Sequence, residues 1–170
     1  MSHLLAEHHF VTVASYRLLT LRDQDCDAGV NADHAIDEAA ENIAASTGYE
    51  LYINCAQDLF AITVRIAIWD DEPSIEQQGR TQTGRILTLI CPTGELVLDS
   101  PTGEALALEL PSGSGTYAIS VRDEGRTEAI VLRQNVLKQT DTPAGEDLHT
   151  AAQRYGGIER YTIDMWRTGR

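Results

Sequence analysis

Short apolar runs separated by tight-turn residues constrain this 170-residue chain more than any other feature. In "FAITVRIAIWD" (60–70), Ile62, Val64, Ile66 and Ile68 alternate with Thr63, Arg65, Ala67 and Trp69, the period of two of a strand with one buried face. "YELYINCA" (49–56) precedes it, with Gln57-Asp58 as the turn. "RILTLI" (85–90), "ELVLDS" (95–100) and "ALALEL" (105–110) follow, separated by two copies of Pro-Thr-Gly at 92–94 and 101–103. Proline presets one turn residue and glycine supplies positive φ. "TYAISVRD" (116–123) and the ending "IERYTIDMWR" add two strands. "HFVTVASYRLLTL" (9–21) adds one long strand, or two with a bend near Ala14-Ser15.

Seven or eight short strands at this spacing predict a mainly β domain spanning 1–170, an antiparallel sandwich or open barrel. An acidic loop and short helix are inserted at about 22–48. In "DHAIDEAAENIAASTG", Ile36, Ala39, Ala40, Ile43 and Ala44 recur at helical spacing and Gly48 stands as a C-terminal cap. "EDLHTAAQRYGG" reads as a second short helix. Segment 127–140, "TEAIVLRQNVLKQT", fits either strand or helix. No βαβ alternation supports a doubly wound nucleotide-binding fold.

Charge narrows the function. The chain has 26 acids against 13 bases, a net charge of -13, which disfavours nucleic-acid and anionic-membrane partners. The N-terminus lacks a basic region followed by a long apolar run, and no window approaches a membrane span, so a cytosolic protein is expected. Cys26, Cys55 and Cys91 are odd in number and far apart, which predicts reduced thiols. Cys55 and Cys91 fall in or beside apolar strands as inert core residues, and aspartates around Cys26 disfavour its thiolate.

The acids concentrate in one place. Between Arg22 and Asn42 stand Asp23, Asp25, Asp27, Asp33, Asp37, Glu38 and Glu41 against one arginine, contributing -6 of the -13. Three readings compete: a solvated loop, a surface for a basic partner, and a cation loop. An EF-hand starting at Asp23 places Asp25 and Asp27 at positions 3 and 5, but Ala28 where glycine is needed and His34 where a bidentate glutamate is needed. A looser calcium loop would draw on Asp23, Asp25, Asp27, Asn31 and Asp33. Close like charges resist compact order unless a cation or basic surface compensates them, which makes a binding surface a reasonable reading beside the solvated loop.

Catalysis lacks a constellation. Ser112 and Ser114 have no neighbouring base, His3, His8 and His9 show no zinc spacing, and no phosphate-cradling loop appears. No cofactor is implied. Carboxylate pairs at Asp70-Asp71-Glu72 and Asp123-Glu124 fall at strand ends. Trp69 and Trp166 close strands as packing residues, though Trp69 or Tyr49 would also serve as an interface anchor.

The carboxyl half carries a family pattern: Gly115, Tyr117, Ile119 and Val121 in one strand, Gly125-Arg126 just after, and Glu159, Tyr161, Ile163 and Trp166 at the end. In "G-x-Y-x-(I/V)-x-V", "G-R" and "E-x-Y-x-I-x-x-W", residues 94–166 resemble a family of small, largely uncharacterised bacterial proteins. A more distant likeness joins it to competence-associated nuclease inhibitors, which also combine an acidic chain with a sandwich. The resemblance implies a β-sandwich in the bacterial cytosol and no particular activity. With the charge it leads to one expectation: a non-catalytic binding protein, an immunity or inhibitor protein neutralising a basic protein such as a nuclease toxin. Asp23, Asp25, Asp27, Asp33, Asp37, Glu38 and Glu41 would form the contact. A calcium- or small-ligand-binding sandwich is the alternative.

Overall fold

The computed structural model describes residues 1–79, 85–140 and 147–169. Its ten strands form two five-stranded sheets packed as a sandwich. The first sheet has the order β1 (Leu4–Thr12), β5 (Ile62–Trp69), β10 (Arg160–Thr168), β9 (Gly115–Glu124) and β6 (Ile86–Cys91). The second has the order β3 (Ala44–Ser46), β4 (Glu50–Asn54), β2 (Leu18–Asp23), β7 (Glu95–Asp99) and β8 (Ala105–Glu109). Every pairing is antiparallel except β5 with β10, which run parallel because the last strand enters between β5 and β9.

The core follows from alternation. Ile62, Val64, Ile66 and Ile68 of β5 meet Leu19 and Leu21 of β2, Leu51 and Ile53 of β4, and Leu96 and Leu98 of β7, all nearly inaccessible. Burying each such side chain contributes about 1.5–3 kcal/mol. The apolar run at 9–21 is two strands. Tyr16 and Arg17 adopt φ of 56° and 59° at the bend, and the chain crosses from one sheet to the other there.

The two Pro-Thr-Gly turns do different work. The second is the β7–β8 hairpin, closed by the Gly103 amide donating to the Ser100 carbonyl at 3.1 Å. The first is a corner carrying the chain between sheets, from β6 to β7. Gly94 has φ of +81° there, and a Cβ would stand 2.7 Å from the Gly113 carbonyl carbon, so only glycine fits.

Among the described residues three α-helices decorate the sandwich. Helix α1 (Ala32–Asn42) lays Ala35 and Ala39 against Ala45 and Tyr52. It is shorter than its alanine pattern predicts. Ile43 breaks it with φ of 73°, and Ala44 enters β3 rather than extending the helix. Gly48, expected as the helix cap, instead lies in the β3–β4 connection with φ of +96°. The ambiguous segment 127–140 is helical: α2 (Arg126–Thr140) buries Ala129 and Val136. Val136 packs with Phe60 and with Ala151 of α3 (Leu148–Arg154). Among the described residues no helix is long and apolar enough to cross a membrane.

Candidate functional site

Strand β2 links two charged regions. At its C-terminal end, the alternation Leu19–Leu21–Asp23 carries an aspartate to the core-facing side, and Asp23 is fully buried. Its carboxylate accepts four hydrogen bonds. The Asp25 amide (3.0 Å) and Thr93 hydroxyl (2.8 Å) donate to Oδ1, and the Thr93 (3.1 Å) and Gly94 (2.9 Å) amides donate to Oδ2. The Pro-Thr-Gly corner thus wraps its backbone donors around one side chain, which satisfies the charge that burial would otherwise penalise.

That geometry corrects two expectations for Asp23. It is withdrawn from any docking surface, and both its oxygens are already engaged, so it cannot open a calcium loop. Among the described residues no three His, Cys, Asp or Glu side chains gather to hold a metal ion, the loop acids and His3, His8 and His9 included.

The rest of the acidic segment lies outside. Asp25, Asp27, Asn31, Asp33, Asp37 and Glu41 are exposed, and none of these carboxylates makes an ion pair among the described residues. Glu38 is half-buried and pairs with Arg85 ahead of β6. The loop is held at both ends. Asp23 fixes its start, and buried Glu50 accepts from the Gly29 amide and the Tyr52 hydroxyl, both at 2.7 Å. Val30 stands 55% exposed among the acids, an apolar spot on an otherwise charged loop. Burial, followed by the neighbouring Glu50, raises the Cys26 thiol above its ordinary range. Burial thus leads, ahead of the aspartates that the sequence pointed to.

Sequence reasoning overlooked two neighbours of this loop. Glu95 and Glu109 sit directly opposite each other on β7 and β8, both exposed, beside Gln24, whose amide donates to the Glu95 carbonyl. They line one shallow depression with Gln24, Ala107 and Leu108. Trp69 is no interface anchor: it is 8% exposed, packs with Ala67, Ala118 and Trp166, and donates to buried Asp164 at 3.0 Å. Tyr49 is half-buried.

The N-terminal end of β2 has the opposite character. Here Gly125, Arg126, Glu159 and Tyr161 of the carboxyl-half pattern converge. Glu159 is 1% exposed and accepts from the Ala56 amide (2.6 Å), the Gln57 side chain (2.9 Å) and the Tyr161 hydroxyl. Arg126 donates through Nη1 to the Asn54 carbonyl (2.6 Å) and to the Tyr161 hydroxyl, with Nη1 4.0 Å from Glu159. Gly125 brings Arg126 in. It has φ of +75°, and a Cβ there would meet the Ile158 carbonyl oxygen at 2.0 Å. Gln57, expected as a plain turn residue, ties the loop together through Leu59 and Phe60. Burial pushes the Cys55 thiol up to about 12, with Glu159 adding to it, and raises the Tyr161 phenol far above its usual range.

Outside this cluster Arg17, Arg126 and Arg133 line a cleft of about 260 Å³ with Ala56, Ile130 and Gln134. Residues 126, 130, 133 and 134 form one face of α2, opposite the β1–β2 bend. Arg17 donates to the Cys55 carbonyl (3.1 Å) and Asn54 Oδ1 (3.3 Å), and Arg133 pairs with Asp58 at 3.1 Å. Positions 17, 126 and 133 share no sequence signal that would group them.

No protein-family model matches the sequence, and no curated protein matches it. Among solved structures, ComJ from Bacillus subtilis, an inhibitor of the DNA degrading activity of NucA, superimposes with a TM-score of 0.56 and 15% identity over 99% of each chain. The product of crocagin biosynthetic gene J superimposes with a TM-score of 0.55 and 12% identity, over 97% of this chain and 100% of that one. At such identities the likeness is one of fold. The chain shares its β-sandwich fold with a nuclease inhibitor, in keeping with the distant likeness expected from the sequence.

Proposed function

We propose that this chain is a non-catalytic inhibitor or immunity protein of the bacterial cytosol, which docks an acidic face on a basic protein and blocks it. A nuclease is the partner class that fits best, because an active site built to hold DNA is basic and is attracted by a surface of carboxylates. The observation that carries the reading is the set Asp25, Asp27, Asp33, Asp37 and Glu41. All five are exposed and none is ion-paired within the described chain; Asp25 and Asp27 lie on a loop anchored by buried Asp23 and Glu50, and Asp33, Asp37 and Glu41 on helix α1. A prearranged loop loses less entropy on docking than a mobile one. The shared fold with ComJ supports the same direction. Glu95 and Glu109 extend the face, Glu38 lies at its margin, and Val30 provides an apolar contact within it.

Capture tests the reading. The immobilised chain is exposed to native lysate beside a variant carrying Asp→Asn at 25, 27, 33 and 37 and Glu→Gln at 41. The expected result is a basic protein retained by the wild type alone, whose DNA-degrading activity falls as free wild-type chain is titrated in. Equal retention by both chains overturns the placement of the interface. Undiminished DNA degradation overturns the inhibitor role.

A further inference from the structure

The arginine-lined cleft is the feature that an acidic antagonist surface leaves unexplained. We propose that it is a binding site for a tetrahedral oxyanion, inorganic phosphate or a phosphate monoester, held between the β1–β2 bend and α2.

The chain holds twice as many acids as bases, yet three guanidinium groups line this one cleft. Their hydrogen bonds leave donors in reserve. Arg17 uses Nε and Nη2, Arg126 uses Nη1, with Nε 3.9 Å from Asp123, and Arg133 uses Nε. Arg17 Nη1, Arg126 Nη2 and both Nη atoms of Arg133 have no hydrogen-bond partner among the described residues. Arg17 also has no carboxylate within ion-pairing distance among the described residues.

The arginines are positioned rather than adrift. Arg126 is fixed by Tyr161 and the Asn54 carbonyl, with buried Glu159 behind it balancing its charge. Arg17 sits at φ of 59° directly after Tyr16 at 56°, two consecutive non-glycine residues in the left-handed region, braced by bonds to Asn54 and Cys55. Strained backbone held by its surroundings is a common attribute of ligand clamps. Planar guanidinium forks suit the paired oxygens of phosphate, and several forks from different directions match a tetrahedral anion better than a flat carboxylate. The cleft has room for a phosphate with a small attached group, and Ile130, 41% exposed, offers that group an apolar contact.

Isothermal titration of the full chain with inorganic phosphate at constant ionic strength tests the assignment, with acetate as the carboxylate probe. The expected result is saturable one-to-one phosphate binding, weakened at least tenfold in Arg133→Gln and in Arg17→Gln. Arg22→Gln, at the other end of β2, should bind as the wild type does. Arg133 is partly exposed, so its variant keeps the test sound even if Arg17→Gln folds poorly. Absence of saturable phosphate binding by the wild type overturns the proposal, as does unchanged binding in Arg133→Gln. Acetate binding as tightly as phosphate overturns the tetrahedral selectivity.

Discussion

The two ends of β2 solve the same problem in different ways. At each end a carboxylate is buried: Asp23 at 0% exposure and Glu159 at 1%. Asp23 is satisfied by backbone amides and one hydroxyl, so no positive charge neutralises it locally, and the segment beyond it stays strongly acidic. Glu159 is satisfied by an amide, a glutamine, a tyrosine and a nearby arginine, and the surface beyond it carries guanidinium groups. The ends stand about 20 Å apart by strand rise. An acidic chain thus keeps an arginine-lined cleft at one end, its guanidinium groups partly paired with Asp58, Asp123 and Glu159, while the acids of the other end stay without ion pairs among the described residues, Glu38 excepted. Polarity of the surface tracks which donors hold the carboxylate beneath it.

The largest effect is expected at the arginine end. Glu159→Ala leaves Arg126, Tyr161, Gln57 and the Ala56 amide short of an acceptor, and should cost about 3–5 kcal/mol in denaturant unfolding. Asp23→Ala leaves three backbone amides and the Thr93 hydroxyl short of an acceptor, with no charged donor among them, and should cost about 2–3 kcal/mol. If Asp23→Ala proves the more costly, backbone donors rather than the arginine define the tighter clasp, and the contrast reverses.

Alkaline pH probes both ends through their thiols. Cys55 lies near Glu159 and Cys91 near Asp23, and burial pushes both up to about 12, with those carboxylates adding to the effect. A raised folded-state pKa gives stability that is complete below the unfolded value near 9 and is lost as pH rises toward 12. Each thiol should withdraw about 1.4 kcal/mol by pH 10. Unfolding of Cys55→Ala and Cys91→Ala between pH 8 and 10 should each show a shallower decline than the wild type. An unchanged slope in either would remove that end from the comparison.

The smallest stability effect belongs to the acidic surface. Neutralising Asp25, Asp27, Asp33, Asp37 and Glu41 should alter unfolding by no more than about 0.5 kcal/mol per position, because these carboxylates have no ion-pair partner among the described residues to lose. Relief of mutual repulsion would make the change favourable.

Much of the sandwich was legible in the sequence because period-two alternation is a local signal. β5 and the strands flanking the Pro-Thr-Gly turns stand close to where their patterns put them. β3 escaped notice because three residues of alanine and serine continue the preceding helical pattern, and only Ile43 at positive φ breaks it. α2 was ambiguous because its "AIVL" run suits a strand equally well, and its packing partners Phe60 and Ala151 are distant in sequence.

The same alternation, pushed one step further, would have located both buried carboxylates. Asp23 continues Leu19–Leu21, and Glu159 begins Tyr161–Ile163–Met165. Among so many aspartates the composition of 22–34 disguised Asp23 as one more surface charge. Its partners Thr93 and Gly94 are some seventy residues away. The cleft arginines were beyond reach for the same reason: Arg17 and Arg133 come to line one cleft only once α2 lies against the β1–β2 bend.

The central claim is that the acidic end antagonises a basic nuclease. The most direct measurement titrates three chains into the captured nuclease and follows DNA degradation at low and moderate salt: the wild type, the five-position acidic variant and Arg133→Gln. Potent, salt-weakened inhibition is expected from the wild type and Arg133→Gln, and at least tenfold weaker inhibition from the acidic variant. Equal inhibition by the acidic variant and the wild type would contradict that claim.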